Sequence, residues 1–549
     1  MRAARVPVDN GGTRSPAPKL VQVSDFEEKR GISMMESSSQ HAYEPAVSFD
    51  GGDLDCGTGL LLLIRKHIDP LERGQLLEIQ STETSVESDL PAWCRMTGNE
   101  LVSWTKDGKR RSFLVSKGAF ASGAMQAGRI DEAQQRETRQ HASIQVVPVA
   151  IPDSLPAPSP APSIRPLSVM GIGSWPRPRW MLQALHDHIE GRLDDAAFQA
   201  SADDAVQLAI AAQLRAGVDV VTDGEQRRDS YASFVGGLLD NCQLIPLTDL
   251  LPYVDDPQAF EQELRALDVP ASDVRHPAVF GPLGRSKPLA VHEMTYARSL
   301  TALPVKVALP GPYLLTRTMW MECVSDRAYA SREALAADVV RILREELAAL
   351  LAQGAALVQF DEPVLSEVVF SGTTSQRSFM CGALSEKSDP QSELAFARSL
   401  LNAVVDGFPI DRVAVHMCRG NWTTDESKAM TGDYRPLVDT LAALNVGTLF
   451  LELCTPRAGE MALLKGLPDW QRIGVGLCNQ KHAHVESLDA VLLKAEEAIG
   501  LFGKERVLFN PDCGFATFAD APVSGAQIAE AKLRTLAEAA AILRERYGV

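Results

Sequence analysis

The sequence predicts an α/β chain in which a (β/α)8 TIM barrel over residues 167–549 follows a small α+β domain over residues 47–118. Three observations carry this prediction. After residue 167, short apolar segments alternate eight times with helical ones, the signature of parallel strands joined by crossover helices. The reactive polar residues of that region fall at the C-terminal ends of the apolar segments, where barrels of this kind gather their active sites. Between the two parts runs PDSLPAPSPAPSIRP, with prolines at 152, 156, 158, 160, 162 and 166, a composition that favours extended polyproline conformations. A doubly wound open sheet is the competing topology for the large part.

The elements follow in order. Residues 1–46 mix Ser, Gly, Pro and charge without an apolar period, so they read as a disordered arm. Residues 47–118 give an apolar helix at 59–70, the strand QLLEIQS, a second helix at 85–97, ELVSW, a Lys-Asp-Gly turn and SFLVS; with a first strand ahead of the helix the order is β-α-β-α-β-β. Residues 119–166 are a linker. The eight strand ends are VMGIGSW (169–175), DVVTDGE (219–225), VKVALPGP (305–312), LVQFDEP (357–363), VAVHMC (413–418), LFLEL (449–453), IGVGLCN (473–479) and VLFNPDC (507–513). Helical runs are expected at 326–353, 390–406, 434–445, 486–502 and 524–547, with an insertion near 236–300.

Composition narrows the function. With 54 Lys plus Arg against 71 Asp plus Glu, the formal charge is −17, which argues against a partner bound through a phosphate backbone. No run approaches 18 apolar residues and the N-terminus lacks a secretory apolar segment, so a cytoplasmic chain without a membrane contact is expected. Nine Cys in 549 residues suit reduced thiols, metal ligation or nucleophilic chemistry better than a disulfide framework.

The polar residues at strand ends are Ser174, Glu225, Asp361, Glu362, His416, Cys418, Glu452, Asn479, Asp512 and Cys513. His416 and Cys418, two apart on a strand end, can point to one side. With Glu452 and Cys513 they offer N, S, O and S donors, a set that matches tetrahedral Zn²⁺. Spacing alone leaves two readings open, a zinc site or separate buried residues, because a Cys is often a small buried hydrophobe and no CxxC pair exists. Cys242, Cys323, Cys381, Cys454 and Cys478 are read as packing residues, and Cys94 as buried within its helix.

The strings IGSWP (172–176), TDGEQRR (222–228), VQFDEP (358–363), VHMCRGN (415–421) and NPDCGF (510–515), in this order, resemble the catalytic barrel of the cobalamin-independent methionine synthase family. The resemblance covers about 167–549. It implies one catalytic zinc held by His416, Cys418, Glu452 and Cys513, and a homocysteine amino acid moiety held by Ile172, Gly173, Ser174, Glu225 and Asp361. It also implies methyl transfer to the thiol of homocysteine, giving methionine from a 5-methyltetrahydrofolate-type donor, with one ligand, Glu452, giving way to the substrate sulfur. Where the family has a proton-donating His after the seventh strand, this sequence reads GLCNQKHAH, which puts Lys481 at the aligned position beside His482. The family's long form has two fused barrels, and this sequence has one.

The small part is similar to the TusA type of sulfur-carrier domain through LDCGTG, the RKHI helix and DLPAWCRMTGNEL. That family's reactive Cys lies in a Cys-Pro-x-Pro motif, absent here; Cys56, about one position before, is the possible sulfur carrier. The resemblances together imply a small-molecule thiol and a methyl donor as substrates, and a sulfur-relay or methyl-donor protein as a possible partner. The rival expectations are a thiol methyltransferase fed by a corrinoid protein or a methylated sulfur compound, a glycosidase-like barrel using Glu225 with Asp361 or Glu362, and a non-catalytic sulfur-relay or partner-binding protein.

Overall fold

The computed structural model describes residues 41, 43–52, 54, 60–84, 86–97, 99–120, 146–189, 191–246, 275–320, 328–370, 389–421, 430–516 and 524–549. Residues 1–40, Cys56, Cys323, Cys381 and residues 121–145 lie outside the described residues.

The small part consists of β1 (Val47–Asp50), α1 (Leu60–Ile68), β2 (Leu76–Ser81), α2 (Val86–Thr97), β3 (Glu100–Asp107) and β4 (Arg110–Ser116). Its sheet has the order β1-β2-β4-β3, with β1 parallel to β2 and the other pairs antiparallel. Leu60, Ile64 and Ile68 recur every four residues, so α1 presents one apolar stripe. That stripe, with Val86, Leu90, Trp93 and Cys94 of α2, packs on Leu77, Ile79, Phe113 and Val115. The end of the expected arm is not free: His41 bonds through Nδ1 to Ser103 and through Nε2 to Ser112, both at 2.8 Å.

The large part contains α3 (Arg179–Ile189), α4 (Asp195–Ala216), the hairpin β5 (Asp240–Pro246) and β6 (Arg275–Gly284), α5 (Val291–Ser299), β7 (Lys306–Pro310), α6 (Pro312–Met319), α7 (Arg332–Ala352), β8 (Leu357–Asp361), α8 (Val364–Phe370), α9 (Pro390–Val405), β9 (Val413–Met417), α10 (Val438–Ala442), β10 (Thr448–Leu451), β11 (Arg472–Cys478), α11 (Leu488–Phe502), β12 (Val507–Pro511) and α12 (Ala526–Tyr547). The hairpin and α5 fall within the expected insertion. Six strands pair in parallel in the order β12-β11-β10-β9-β8-β7. Three further parallel bridges, Val169 to Phe509, Met170 to Val220 and Val221 to Val305, carry the pairing from β12 through two short segments back to the start of β7. The pairings therefore return on themselves.

Alternation along the strands sorts the residues into two sets. Met170, Ile172, Val220, Leu357, Ala414, Phe450 and Leu508 form one compact apolar cluster. Their sequence neighbours Val169, Val221, Val358, Val413, Val415, Leu449, Leu451, Val507 and Phe509 belong to the larger core shared with the helices. The positions two residues beyond the small cluster are polar: Gln359 beyond Leu357, His416 beyond Ala414, Glu452 beyond Phe450 and Asn510 beyond Leu508. The sheet thus has an apolar layer followed, toward the C-terminal ends, by a buried polar one.

Residues 146–166 depart from the expected free linker. Ser159 donates its N–H to the Leu351 carbonyl (3.0 Å) and its hydroxyl to the Ala352 carbonyl (2.5 Å), and its carbonyl accepts from Arg412 (2.6 Å). Arg472 donates to the Ile164 carbonyl (3.0 Å), and Arg165 pairs with Asp219 (2.6 Å). Main-chain carbonyls are the acceptors, which is why a polyproline-like segment, lacking its own hydrogen bonds, can dock on the arginines. No helix among the described residues is long and apolar enough to cross a membrane. We expect a chain of residues 146–549 to be more stable than one of 167–549 by about 2–4 kcal/mol, at about 1 kcal/mol per hydrogen bond. Urea unfolding of the two chains measures this, and equal midpoints would show the segment to be a tether only.

Candidate functional site

Three reactive side chains converge where β9 and β12 end. His416 is the fourth residue of β9, Cys418 follows the strand, and Cys513 follows β12 by two residues. One ligand atom from each lies within 4.8 Å of the others, and all three residues are buried. The two Sγ atoms are 3.6 Å apart. Close sulfurs share a proton, so the pair splits: the hydrogen bond with Cys513 pulls the Cys418 thiol down to about 7, with help from His416, and the same bond pushes Cys513 well up.

Register aims the imidazole. In the β8–β9 ladder Asp361 stands opposite His416, and the Asp361 Oδ1 lies 2.9 Å from His416 Nδ1. That oxygen also accepts from Gln359 Nε2 at 2.7 Å. His416 Nε2 is buried with no hydrogen-bond partner among the described residues. A buried ring nitrogen without a partner is costly, and metal ligation would satisfy it. A carboxylate behind the ligating His is the usual outer support of such sites. The sequence reading gives Asp361 to the substrate; in the structure one of its oxygens meets His416.

Glu452, expected as a fourth ligand, stands beside the group of three rather than in it. Its Oε1 accepts from Arg457 (2.6 Å) and its Oε2 from the Arg419 backbone N–H (2.8 Å). Burial pushes the carboxyl up, and Arg419 opposes that. The turn after Glu452 is fixed by Asp512, whose Oδ1 accepts from the N–H groups of Leu453 (2.9 Å) and Cys454 (2.8 Å). Gly476 permits this, since a Cβ there would lie 2.0 Å from that same oxygen. Lys481 is buried, and its amine is pushed down by burial and by Arg457 while Glu452, Cys418 and Cys513 pull it back. His482 is exposed, whereas buried Lys481 interacts with the charges of this site.

Across the ring, the TDGEQRR loop holds Glu225 in the left-handed region at φ 54°, a conformation that costs a non-glycine residue energy. Glu225 Oε2 is buried without a partner, and Oε1 is 4.0 Å from Arg228. Burial pushes this carboxyl up to about 7, with Arg228 opposing. Gly173 makes room for it: a Cβ there would lie 2.1 Å from Glu225 Oε1. Ser174 Oγ accepts from the Ala516 N–H (3.2 Å), tying the first segment to the loop after β12. Ile172 belongs to the apolar layer. Arg228 is locked by Glu293 (2.6 Å) and the Ala308 carbonyl (2.9 Å). Glu362 is taken by the first turn of α6, accepting from Tyr313 N–H (2.8 Å) and Leu314 N–H (3.0 Å); it is a helix cap, which removes it from the paired-carboxylate alternative.

Sequence reasoning missed four residues here: Lys306, Gln359, Arg419 and Arg457. Lys306 is buried, donates to Gln359 Oε1 (2.7 Å) and lies 4.3 Å from the centre of the Phe450 ring. Burial pushes it down to about 7, while Asp361 and Glu225 pull it up. A lysine inside the apolar run PVKVALP was the available signal.

The family described as "Cobalamin-independent synthase, Catalytic domain" matches residues 167–250 and 259–541. Among individual proteins, the methionine synthase of Sulfurisphaera tokodaii is 26% identical over 68% of this chain and 91% of its own length. The 5-methyltetrahydropteroyltriglutamate–homocysteine methyltransferase of Cronobacter sakazakii is 29% identical over 63% of this chain, which spans only 40% of that longer protein. The solved B12-independent methionine synthase of a Shewanella species, in complex with selenomethionine, shares the fold at TM-score 0.53 and 22% identity, covering 70% of this chain and 99% of the other. The match spans well over half of the chain and takes in every residue of the site just described, so the chain belongs to the cobalamin-independent synthase catalytic-domain family.

Proposed function

We propose that this chain is a zinc-dependent methyltransferase that moves a methyl group from a methylated folate to the sulfur of homocysteine, giving methionine. The observation that carries the reading is the buried group of His416, Cys418 and Cys513 with an unpartnered His416 Nε2. One imidazole and two thiols make a soft donor set suited to zinc. Relatives named methionine synthase and homocysteine methyltransferase support the substrate. In this reading the ring of parallel pairings is a (β/α)8 barrel and the site sits at its C-terminal mouth.

Bound zinc supplies a positive charge that keeps a substrate thiol deprotonated at neutral pH. The chain's residues do the rest. Asp361 holds the His416 ring, and Cys418 and Cys513 give up their shared proton when they ligate. Glu452, now bonded to Arg457, would be the fourth residue to hold the zinc. Glu225 binds the substrate ammonium, with the Ile172–Gly173–Ser174 turn alongside. Lys481 is the proton donor to the leaving donor nitrogen, since His482 faces solvent. The β-α-β-α-β-β order of the small part agrees with a TusA-like domain joined through residues 119–166, in which Cys56 would carry sulfur and a sulfur-relay protein would be the partner.

His416→Gln, Cys418→Ser and Cys513→Ser should each weaken zinc by more than the roughly 10–100-fold that outer supporting residues cost, and abolish methylation of homocysteine. Glu452→Gln should cost less than any of the three. Metal analysis after dialysis, with mass spectrometry of the thiol products, checks this; full zinc in Cys418→Ser or Cys513→Ser would sink the ligand set.

Zinc binding should also depend on pH in one direction. With the Cys418 thiol held near 7, lowering the pH below that value restores a proton that zinc must displace. Affinity should fall by about tenfold per pH unit for each proton released. Competition with a chelator between pH 8 and 6 measures the slope, and a flat profile would count against thiolate ligation.

A further inference from the structure

We propose that Lys306 and Gln359 are positioning residues that decide which nitrogen of His416 carries its hydrogen, and so which one is left to meet the metal. The basis is a chain of hydrogen bonds across three strands: Lys306 Nζ to Gln359 Oε1 (2.7 Å), Gln359 Nε2 to Asp361 Oδ1 (2.7 Å), and Asp361 Oδ1 to His416 Nδ1 (2.9 Å). With Lys306 charged, as the Phe450 ring favours, the two ends of this chain fix its polarity. A lysine ammonium has three donors and no acceptor, and a carboxylate has acceptors only. An amide between them has one satisfactory orientation, oxygen toward Lys306 and nitrogen toward Asp361. The carboxylate can then only accept from His416, so the ring hydrogen sits on Nδ1. In the neutral ring Nε2 is then left with a bare lone pair, and among the described residues Nε2 is the atom that has no hydrogen-bond partner.

Lys306 is held in place for this task. Pairing of Ala308 with Gln359 in the β7–β8 ladder puts Lys306, two residues earlier, on the same face of the sheet as the amide. The Phe450 ring lies against its Nζ, and a ring face favours the charged, donor-only form. Without Lys306 the amide loses the group that fixes its direction. Turned over, it would set Oε1 against the Asp361 carboxylate and loosen the hold on His416. The purpose of the device rests on the reading of His416 as a metal ligand, but its test does not.

The experiment uses the full, metal-free chain labelled with ¹⁵N-histidine. Long-range ¹H–¹⁵N spectra report the hydrogen on each ring nitrogen, and His416 is assigned by the signal lost in His416→Gln. At a pH high enough for the ring to be neutral, the wild type should show His416 hydrogenated at Nδ1 and bare at Nε2. Gln359→Glu keeps the shape and replaces the donor, and Lys306→Met keeps the length and removes it. Each should bring in the other tautomer and weaken Zn²⁺, read by competition with a chromophoric chelator, by about 10–100-fold. A wild-type His416 carrying its hydrogen on Nε2 overturns the proposal without any variant. So does an unchanged tautomer in either variant that circular dichroism shows to be folded. If the tautomer behaves as stated but His416→Gln binds Zn²⁺ as the wild type does, the positioning chain stands and the metal reading fails.

Discussion

The pairing of Asp361 opposite His416 is the constraint on which the site depends. Parallel strands fix side-chain direction with a period of two, so a slip of one residue in β8 would turn Gln359 and Asp361 toward the helices and bring Val358 and Phe360 inside. Register is defended by apolar burial, since Val358 and Phe360 pack in the helix-facing core and Leu357 in the inner layer. The chemistry of His416 is thus anchored by residues that carry none. The adjoining ladders extend the same logic, placing Phe450 opposite His416 and Ala308 opposite Gln359.

Such an arrangement concentrates charge where water is scarce. Lys306, Asp361, Glu225, Arg228, Glu293, Glu452, Arg419 and Lys481 are all buried, and each would be costly alone. They are affordable in combination because they are paired or hydrogen-bonded: Arg228 with Glu293, Arg457 with Glu452, Lys306 with Gln359. Removing one partner from such a set leaves the other exposed to the full desolvation cost. The exceptions are informative. Glu225 Oε2 and His416 Nε2 remain unpartnered in this network, and they lie on the two sides of the site where an ammonium and a metal, respectively, would satisfy them.

Much of this was legible in the sequence, and the reasons for the rest are physical. The strand ends could be read because each couples an apolar run to an abrupt polar residue, and the residues 416, 418 and 513 were drawn together from two such ends. Lys306 stood out as a charge in an apolar run, but neither its direction nor that of Gln359 could be read, because strands buried on both faces lack the polar alternation that reveals an inward side. The grip of Arg457 on Glu452 depends on a turn after β10 that a sequence pattern does not specify. Docking of residues 146–166 was invisible for another reason: main-chain carbonyls do the accepting, and every residue has one. Cys56 stays as the sequence left it, outside the described residues.

The position of Glu452 bears on how a four-donor site can still be open. Four protein ligands normally close a zinc site, whereas catalytic sites keep one place exchangeable. Here the three N and S donors are gathered already, but Glu452 has an alternative partner of its own, an Arg457 guanidinium at 2.6 Å with a backbone N–H on its other oxygen. Ligation by Glu452 would have to replace a buried, charge-assisted bond, so the gain on binding metal is offset by the bond given up. Release is correspondingly easy, because the carboxylate returns to a waiting cation rather than to an apolar interior. A ligand so balanced between two partners would be displaced at little cost by an incoming thiolate. In the proposed enzyme, Arg457 would thereby make the fourth position available to substrate without loosening the three donors that hold the metal.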